Sequence, residues 1–473
     1  MPVNGQDGQD ERSGRDGGPP TVTYRAEYAW LNGTVEPDVD LDVADGRITA
    51  VRTGAGTDTG ATAPDASAVR LRGLTVPGLA NAHSHAFHRA LRGTVQVGSG
   101  TFWTWREVMY QVASRLTPDT YFALARAVYA EMALAGVTAV GEFHYLHHAR
   151  GGVRYDDPNA MGHALIAAAG EAGIRITLLD TCYLSAGFGK APDTHQSRFS
   201  DGTAEAWAER ADALRPDARA REYATVGAAV HSVRAVPADQ LATVAEWARE
   251  REAPLHVHLS EQTAENDACL AAHGRTPTQL LAEHGVTGPR TTAVHATHLT
   301  DADIALLGGS HTGVCMCPTT ERDLADGIGP AAALQRAGSP LSLGSDSHAV
   351  IDLLEEARAL ELDERLRTRT RGHWTAAQLL RAASEHGHAA LGRPDAGRLE
   401  PGAPADFATV ALDSVRTAGP EPRLATEAVV FAAGAADVRH TVVAGRHVVR
   451  DGEHTAVGDV AGALREAVRA CHA

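Results

Sequence analysis

Lysine is nearly missing from this 473-residue chain: Lys190 is the single example, so arginine supplies almost all of the 43 basic residues. The 59 acidic residues outweigh them, for a net charge of −16, and no basic tract offers the footprint of a nucleic-acid or anionic-membrane surface. Cysteine is scarce and scattered. Cys182, Cys269, Cys315, Cys317 and Cys471 form no C-x-x-C pair, which excludes the common cysteine zinc motifs and a disulfide framework. An odd set of thiols fits a reducing, cytoplasmic setting. No apolar run approaches the ~18 residues of a membrane helix. The first 21 residues are polar and acidic, without the apolar segment of a secretory signal, and are expected to be a disordered leader.

A hydrophobic content of 44% supports a sizeable core, and the length suits one large domain with a smaller one. Residues 22–76 carry short alternating segments separated by turns such as Asp45-Gly46. The same texture returns in ADFATVAL and in HTVVAGRHVVRDGEH, which has the alternation and Ala-Gly turn of a hairpin. One small β-sandwich-like domain built from both termini, residues 22–76 with 397–460, is therefore expected. Between them, residues 77–396 alternate eight apolar runs with amphipathic stretches rich in Ala, Leu, Glu and Arg. That is the strand count of an α/β protein of the (β/α)8 TIM-barrel type. No repeat suggests a solenoid.

The residues that end each apolar run are less ordinary than the runs themselves. The first ends in His83-Ser84-His85, the second in Glu142-Phe143-His144-Tyr145, and the fourth in His231 with Arg234 beyond. The fifth carries His256, His258 and Glu261, the sixth His295 and His298, the eighth Asp346 and His348. In a β/α barrel the C-terminal strand ends share one rim. Each piece alone has an ordinary explanation: a surface H-x-H, a turn aspartate, a satisfied core histidine. Six strand ends bearing such residues together point instead to a metal site of imidazole and carboxylate ligands. Cys315 and Cys317, on the seventh run, are expected to be small apolar fillers pointing to opposite sides. Trp103 and Trp105 are expected to pack a loop above the barrel, with a lid as the other possibility.

Several segments together resemble the amidohydrolase superfamily: PGLANAHSHAFHRALRG, the strand-five and strand-six histidines, GSDSH, GAPADFATVALD and VVAGRHVVRDG. Within it, FWTWREVMY, GEFHYLHH, AVHSVRAV and VHATHLTDAD resemble the formimidoylglutamate deiminases. The resemblance covers nearly the whole chain after residue 22. It implies a mononuclear Zn²⁺ hydrolase with His83, His85, His258 and Asp346 as ligands, Fe²⁺ and Mn²⁺ remaining open. It implies that Glu261 and His295 act in proton transfer, that Asp346 accepts the proton of the attacking water, and that Arg106, Tyr145, His231 and Arg234 line the substrate pocket. His88 stands where the family pattern has Gln and is expected to remain substrate-facing. Binuclear relatives bridge their metals with a lysine at the end of strand four; here that end is His231, and Lys190 lies in the loop after strand three, so one metal is expected. A homodimer is a further implication.

The expected reaction is hydrolytic deimination of N-formimino-L-glutamate in histidine degradation. An acidic protein that holds a small dicarboxylate, an amino-acid derivative, needs local arginines, whose planar forks take carboxylates two bonds at a time. Two alternatives stand beside this. A deaminase of a nucleobase or nucleoside would use the same metal but prefer ring contacts, and only 5% of the chain is aromatic. A catalytically inactive barrel serving as a scaffold would usually have lost ligands, and all four positions are intact.

Overall fold

The computed structural model describes residues 21–54, 68–98 and 102–472, so all but the last residue of the expected leader lies outside the described residues. The eight central apolar runs are strands β5 (Leu79–Ser84), β6 (Val137–His144), β7 (Arg175–Cys182), β8 (Ala224–Val230), β9 (Leu255–Leu259), β10 (Thr291–His295), β11 (Gly313–Met316) and β12 (Leu341–Leu343). They pair in parallel in chain order. A parallel bridge between Ser84 and Asp346 brings the last strand back to the first, giving the TIM barrel.

Alternation decides which residues fill it. On β9, Leu255, Val257 and Leu259 face the helices, while His256 and His258 face inward. The interior is built of small residues: Ala82, Val294, Cys315 and Cys317 form one cluster, and Ala80 and Ala139 another with Leu391. Cys315 and Cys317 thus share the inner face, correcting the expectation of opposite sides. Residues i and i+2 of a strand point the same way, and their role as small fillers is what this cluster requires. The N-terminal mouth is stoppered by the chain at Ala390 and Leu391, whose carbonyls accept from His256 Nε2 (2.9 Å) and Thr177 Oγ1 (2.9 Å).

The terminal strands β1 (Val22–Leu31), β2 (Thr34–Ala44), β3 (Arg47–Arg52), β4 (Val69–Pro77), β13 (Phe407–Val410), β14 (Val438–Val443), β15 (Arg446–Arg450) and β16 (Glu453–His454) form a second sheet, in the order β16-β15-β14-β13-β4-β1-β2-β3. The expected hairpin is β14–β15, turning at Ala444 and Gly445 with φ of 49° and 71°, a pair of left-handed residues that suits the strand twist. Backbone bonds from Ile48 N to Ala403 O and from Ala405 N to Gly46 O bring β3 back to the chain entering β13. The sheet therefore closes over its own core of residues such as Leu41, Ile48, Leu71 and Phe407. Its other face, with Ala408 and Val410, joins the barrel core.

Two helices come after β5. Helix α1 (Phe102–Arg115) lies over the barrel mouth, and α2 (Pro118–Leu134) is started by a Thr117–Thr120 capping box with Pro118 in its first turn. A C-terminal helix, Val460–His472, beyond the expected end of the small domain, packs on α2. Among the described residues no helix is long and apolar enough to cross a membrane.

Candidate active site

Strict alternation would not bring the strand-end residues together. Ala80 and Ala82 face the barrel interior, so His83 should face outward; a register irregularity between Asn81 and Ser84 turns both His83 and His85 towards the barrel axis. Val294 is likewise inward, in the interior cluster, and His295 nevertheless reaches the pocket because the backbone is left-handed at His295 (φ 68°) and Ala296 (φ 50°). Asp346 (φ 40°) is held the same way beyond β12. Strained conformations of this kind persist where surrounding structure enforces them, often at sites that work.

The outcome is a buried cluster of four donors. His83 Nε2 and His258 Nε2 are 3.1 Å apart, His85 Nε2 and His258 Nε2 3.4 Å, and Asp346 Oδ1 lies 3.2 and 3.3 Å from His83 Nε2 and His85 Nε2. Tetrahedral ligands at about 2.0–2.1 Å from Zn²⁺ are separated by roughly 3.3 Å. The Nδ1–H of His85 donates to Phe143 O (3.0 Å) and that of His258 to His231 O (2.9 Å), which leaves both Nε2 lone pairs directed at the centre. Burial lowers the pKa of His83 to about 3 and that of His258 well below its usual value. Neutral imidazoles converging lone pair to lone pair fit a cation between them.

Beside this cluster, His295 Nε2 lies 3.8 Å from Glu261 Oε1 and 3.7 Å from Asp346 Oδ2, and its Nδ1 is 3.4 Å from Glu321 Oε1. Burial alone would lower the His295 pKa, but the carboxylates of Glu261, Glu321 and Asp346 outweigh it and hold the imidazolium well above its usual range. Glu261 is pushed upward, chiefly by burial. Glu321 escaped the sequence reading. It sits one helical turn beyond Cys317, whose N–H it accepts (2.9 Å), and no local sequence signal marks it. Asp326, bonded to Gln262, was also missed; burial raises its carboxyl to about 8.

The expected pocket residues do come together. His88 Nε2 is 3.1 Å from Tyr145 Oη, and His88, Arg106, Tyr145, His231 and Arg234 all line the cavity above the donor cluster. Arg234 Nε donates to Glu265 (3.0 Å). Trp105 lies on α1 rather than a loop and packs edge-on against the His88 ring at 5.1 Å, while the Trp103 side chain lies outside the described residues. The same helix face adds Met109 and Tyr110, legible as the i+4 partners of Trp105 and Arg106. Lys190 is exposed in the tight turn Gly187–Lys190, at the outer rim.

Other strand-end residues do not join them. On β6, Phe143 and Tyr145 face the site, so Glu142 and His144 face the helices. Glu142 accepts from Ala86 N (2.7 Å) and Ser84 Oγ (2.8 Å), bracing the H-x-H segment from behind, and burial brings its pKa to about 7. His144 packs with His147 near Asp180, a carboxylate already clasped by Arg210. His256 bonds the barrel plug, and His348 bonds Ser84 and Ser345.

The family model described as "Amidohydrolase family" matches residues 74–448. The chain belongs to the amidohydrolase family. Among relatives, it is 40% identical over 405 residues to a formimidoylglutamate deiminase of Pseudomonas aeruginosa, spanning 83% of this chain and 88% of that one. An amidohydrolase structure from Brucella melitensis superposes with a TM-score of 0.87 at 32% identity, covering 96% of this chain and 100% of that one. An adenosine deaminase from Xanthomonas campestris, solved with bound zinc, gives a TM-score of 0.80 at 26% identity, covering 95% and 97%. As an amidohydrolase the chain is a hydrolase of C–N bonds with a buried His/Asp cluster suited to a metal.

Proposed function

We propose that this amidohydrolase hydrolyses the C=NH group of N-formimino-L-glutamate, using one water and yielding N-formyl-L-glutamate and ammonia, as a step of histidine degradation in the cytoplasm. The observation that carries the reading is a pocket with two functions stacked: Arg106 and Arg234 on its wall, and a carboxylate–imidazole pair, Glu261 and His295, on its floor. The 40% identity to a formimidoylglutamate deiminase supports the same substrate.

One Zn²⁺ would be held by His83, His85, His258 and Asp346, with Fe²⁺ or Mn²⁺ able to use the same donors, and would supply Lewis acidity that makes a water more acidic. The remaining work belongs to side chains. Asp346 Oδ2, turned towards His295, takes the proton of the attacking water. His295, held charged by three carboxylates, orients that water and offsets the negative charge that develops during attack. Glu261 sits across from His295, and burial, which favours its protonated form, suits it to deliver a proton to the departing nitrogen. Arg106 and Arg234 take the two carboxylates, with Tyr145 and His88 as a hydrogen-bonded pair and His231 shaping the cavity between them.

The test is ammonia release by metal-replete protein from N-formimino-L-glutamate, run beside adenosine, guanine and N-formimino-glycine. Turnover of the diacid far above that of the glycine analogue is expected. Activity on adenosine or guanine with none on the formimino acid would overturn the proposal in favour of a nucleobase or nucleoside deaminase.

A further inference from the structure

Tyr110 and Tyr183 line the cavity beside Arg106, and behind them, 1% exposed, lies Gln196. The amide of Gln196 has a defined direction: its Oε1 accepts from Asp193 N (3.0 Å), so its two N–H groups point the other way. Its Nε2 donates to Tyr183 Oη (2.7 Å) and to Tyr110 Oη (3.1 Å). Tyr110 Oη also accepts from Arg106 Nε (2.7 Å). A phenol oxygen has two lone pairs and one proton to give. With both lone pairs of Tyr110 occupied by N–H donors, its own O–H must find an acceptor elsewhere, and the side facing the cavity is where one can arrive. The Tyr183 hydroxyl, likewise engaged as an acceptor, has its proton free for the same space.

We infer that Tyr110 and Tyr183 are specificity-determining donors which, with Arg106, cradle one carboxylate of the substrate, and that buried Gln196 is the positioning residue that turns both hydroxyls towards it. This rests on the anionic-substrate reading above. Burial, the largest influence on Tyr110, raises its pKa, so the hydroxyl keeps the proton it is to donate. The arrangement also gives Arg106 a fixed bearing, because its Nε is tied to Tyr110 and Tyr110 to the barrel loop through Gln196. The turn that holds Gln196 is itself pinned, with Asp193 accepting from the backbone N–H groups of His195 (2.8 Å) and Gln196 (3.0 Å).

The experiment compares wild type with Tyr110→Phe, Tyr183→Phe and Gln196→Met. The substrates are N-formimino-L-glutamate and its two relatives in which one or the other carboxylate is a carboxamide. A hydrogen bond to a charged group corresponds to roughly a ten- to hundred-fold effect on binding. Each variant is expected to raise KM for the diacid by about that factor with kcat within a few-fold, and the penalty should vanish on one of the two masked substrates and persist on the other. An unchanged KM in both tyrosine variants, a loss confined to kcat, or equal penalties on all three substrates would overturn the inference. If wild type does not turn over the diacid, the proposed function fails separately. Calorimetric titration with glutarate then decides the cradle alone: weaker binding by the tyrosine variants supports it, and unaltered affinity overturns it.

Discussion

Glu261 and His295 show how one environment shifts two groups upward for different reasons. His295 is buried and Glu261 largely so, with its side chain 14% exposed, and burial favours the neutral form of each. His295 nevertheless faces Glu261, Glu321 and Asp346, so it gains more from its charge than it loses to desolvation, whereas for Glu261 burial, helped by Asp346 and Glu265, outweighs the pull of His295 and Arg234 and the carboxyl shifts upward. A carboxyl whose pKa is raised holds its proton more readily, which is what delivery to a leaving nitrogen demands. Glu261→Gln keeps the shape and removes the transferable proton. It is expected to lower kcat by about 10²–10⁴-fold, with metal content unchanged. Steady-state ammonia release and elemental analysis check both, and near-normal turnover would take Glu261 out of the proton path. Most of these side chains were legible, since their types and strand-end positions stand in the chain. Glu321 and Asp326 were not, because nothing local marks a helix or loop carboxylate as one aimed at a distant imidazole.

The strands themselves were legible too, because a buried parallel strand is written as a short apolar run whatever surrounds it. The irregularities that make the site work were hidden. The register shift in β5 and the left-handed backbone at His295 and Asp346 reverse the facing that alternation alone would give. A close approach at Gly344 supports the first of these: a Cβ there would come within 2.8 Å of His83 Cβ and 2.9 Å of His83 O. Gly344→Ala should therefore press on the segment that carries His83 and His85. We expect a loss of about 1–3 kcal/mol in urea unfolding, as for overpacking elsewhere, together with reduced metal content after metal-replete purification. Full metal content with unaltered stability would mean that the segment yields without cost.

The two sheets are joined through a buried ion pair. Arg175, at the start of β7, donates from Nε (2.6 Å) and Nη2 (3.0 Å) to the two oxygens of Asp406, which also accepts from Ala444 N (2.7 Å). The barrel is thus tied to both β13 and the β14–β15 turn by one carboxylate, 231 residues from its partner. Removing the cation would leave Asp406 buried without its ion-pair partner, so Arg175→Met should cost about 3–5 kcal/mol. Thermal unfolding would show this as a drop in Tm, while KM in the fraction that stays folded should hold, since the pair lies at the barrel's opposite mouth. A Tm within a degree of wild type would show that the sheets are held by their apolar contacts alone.

Hydrophobic period and the residues ending each run were enough to specify eight barrel strands, a β domain shared between the termini, and an imidazole–carboxylate site, because these depend on neighbours close along the chain. Which of the polar strand ends meet was decided only in three dimensions. His144, His256 and His348 carry the same local signature as His85, His258 and His295, yet face helices, plug or serine hydroxyls. A facing depends on register with the next strand and on what fills the barrel axis, and those are relations between segments up to hundreds of residues apart.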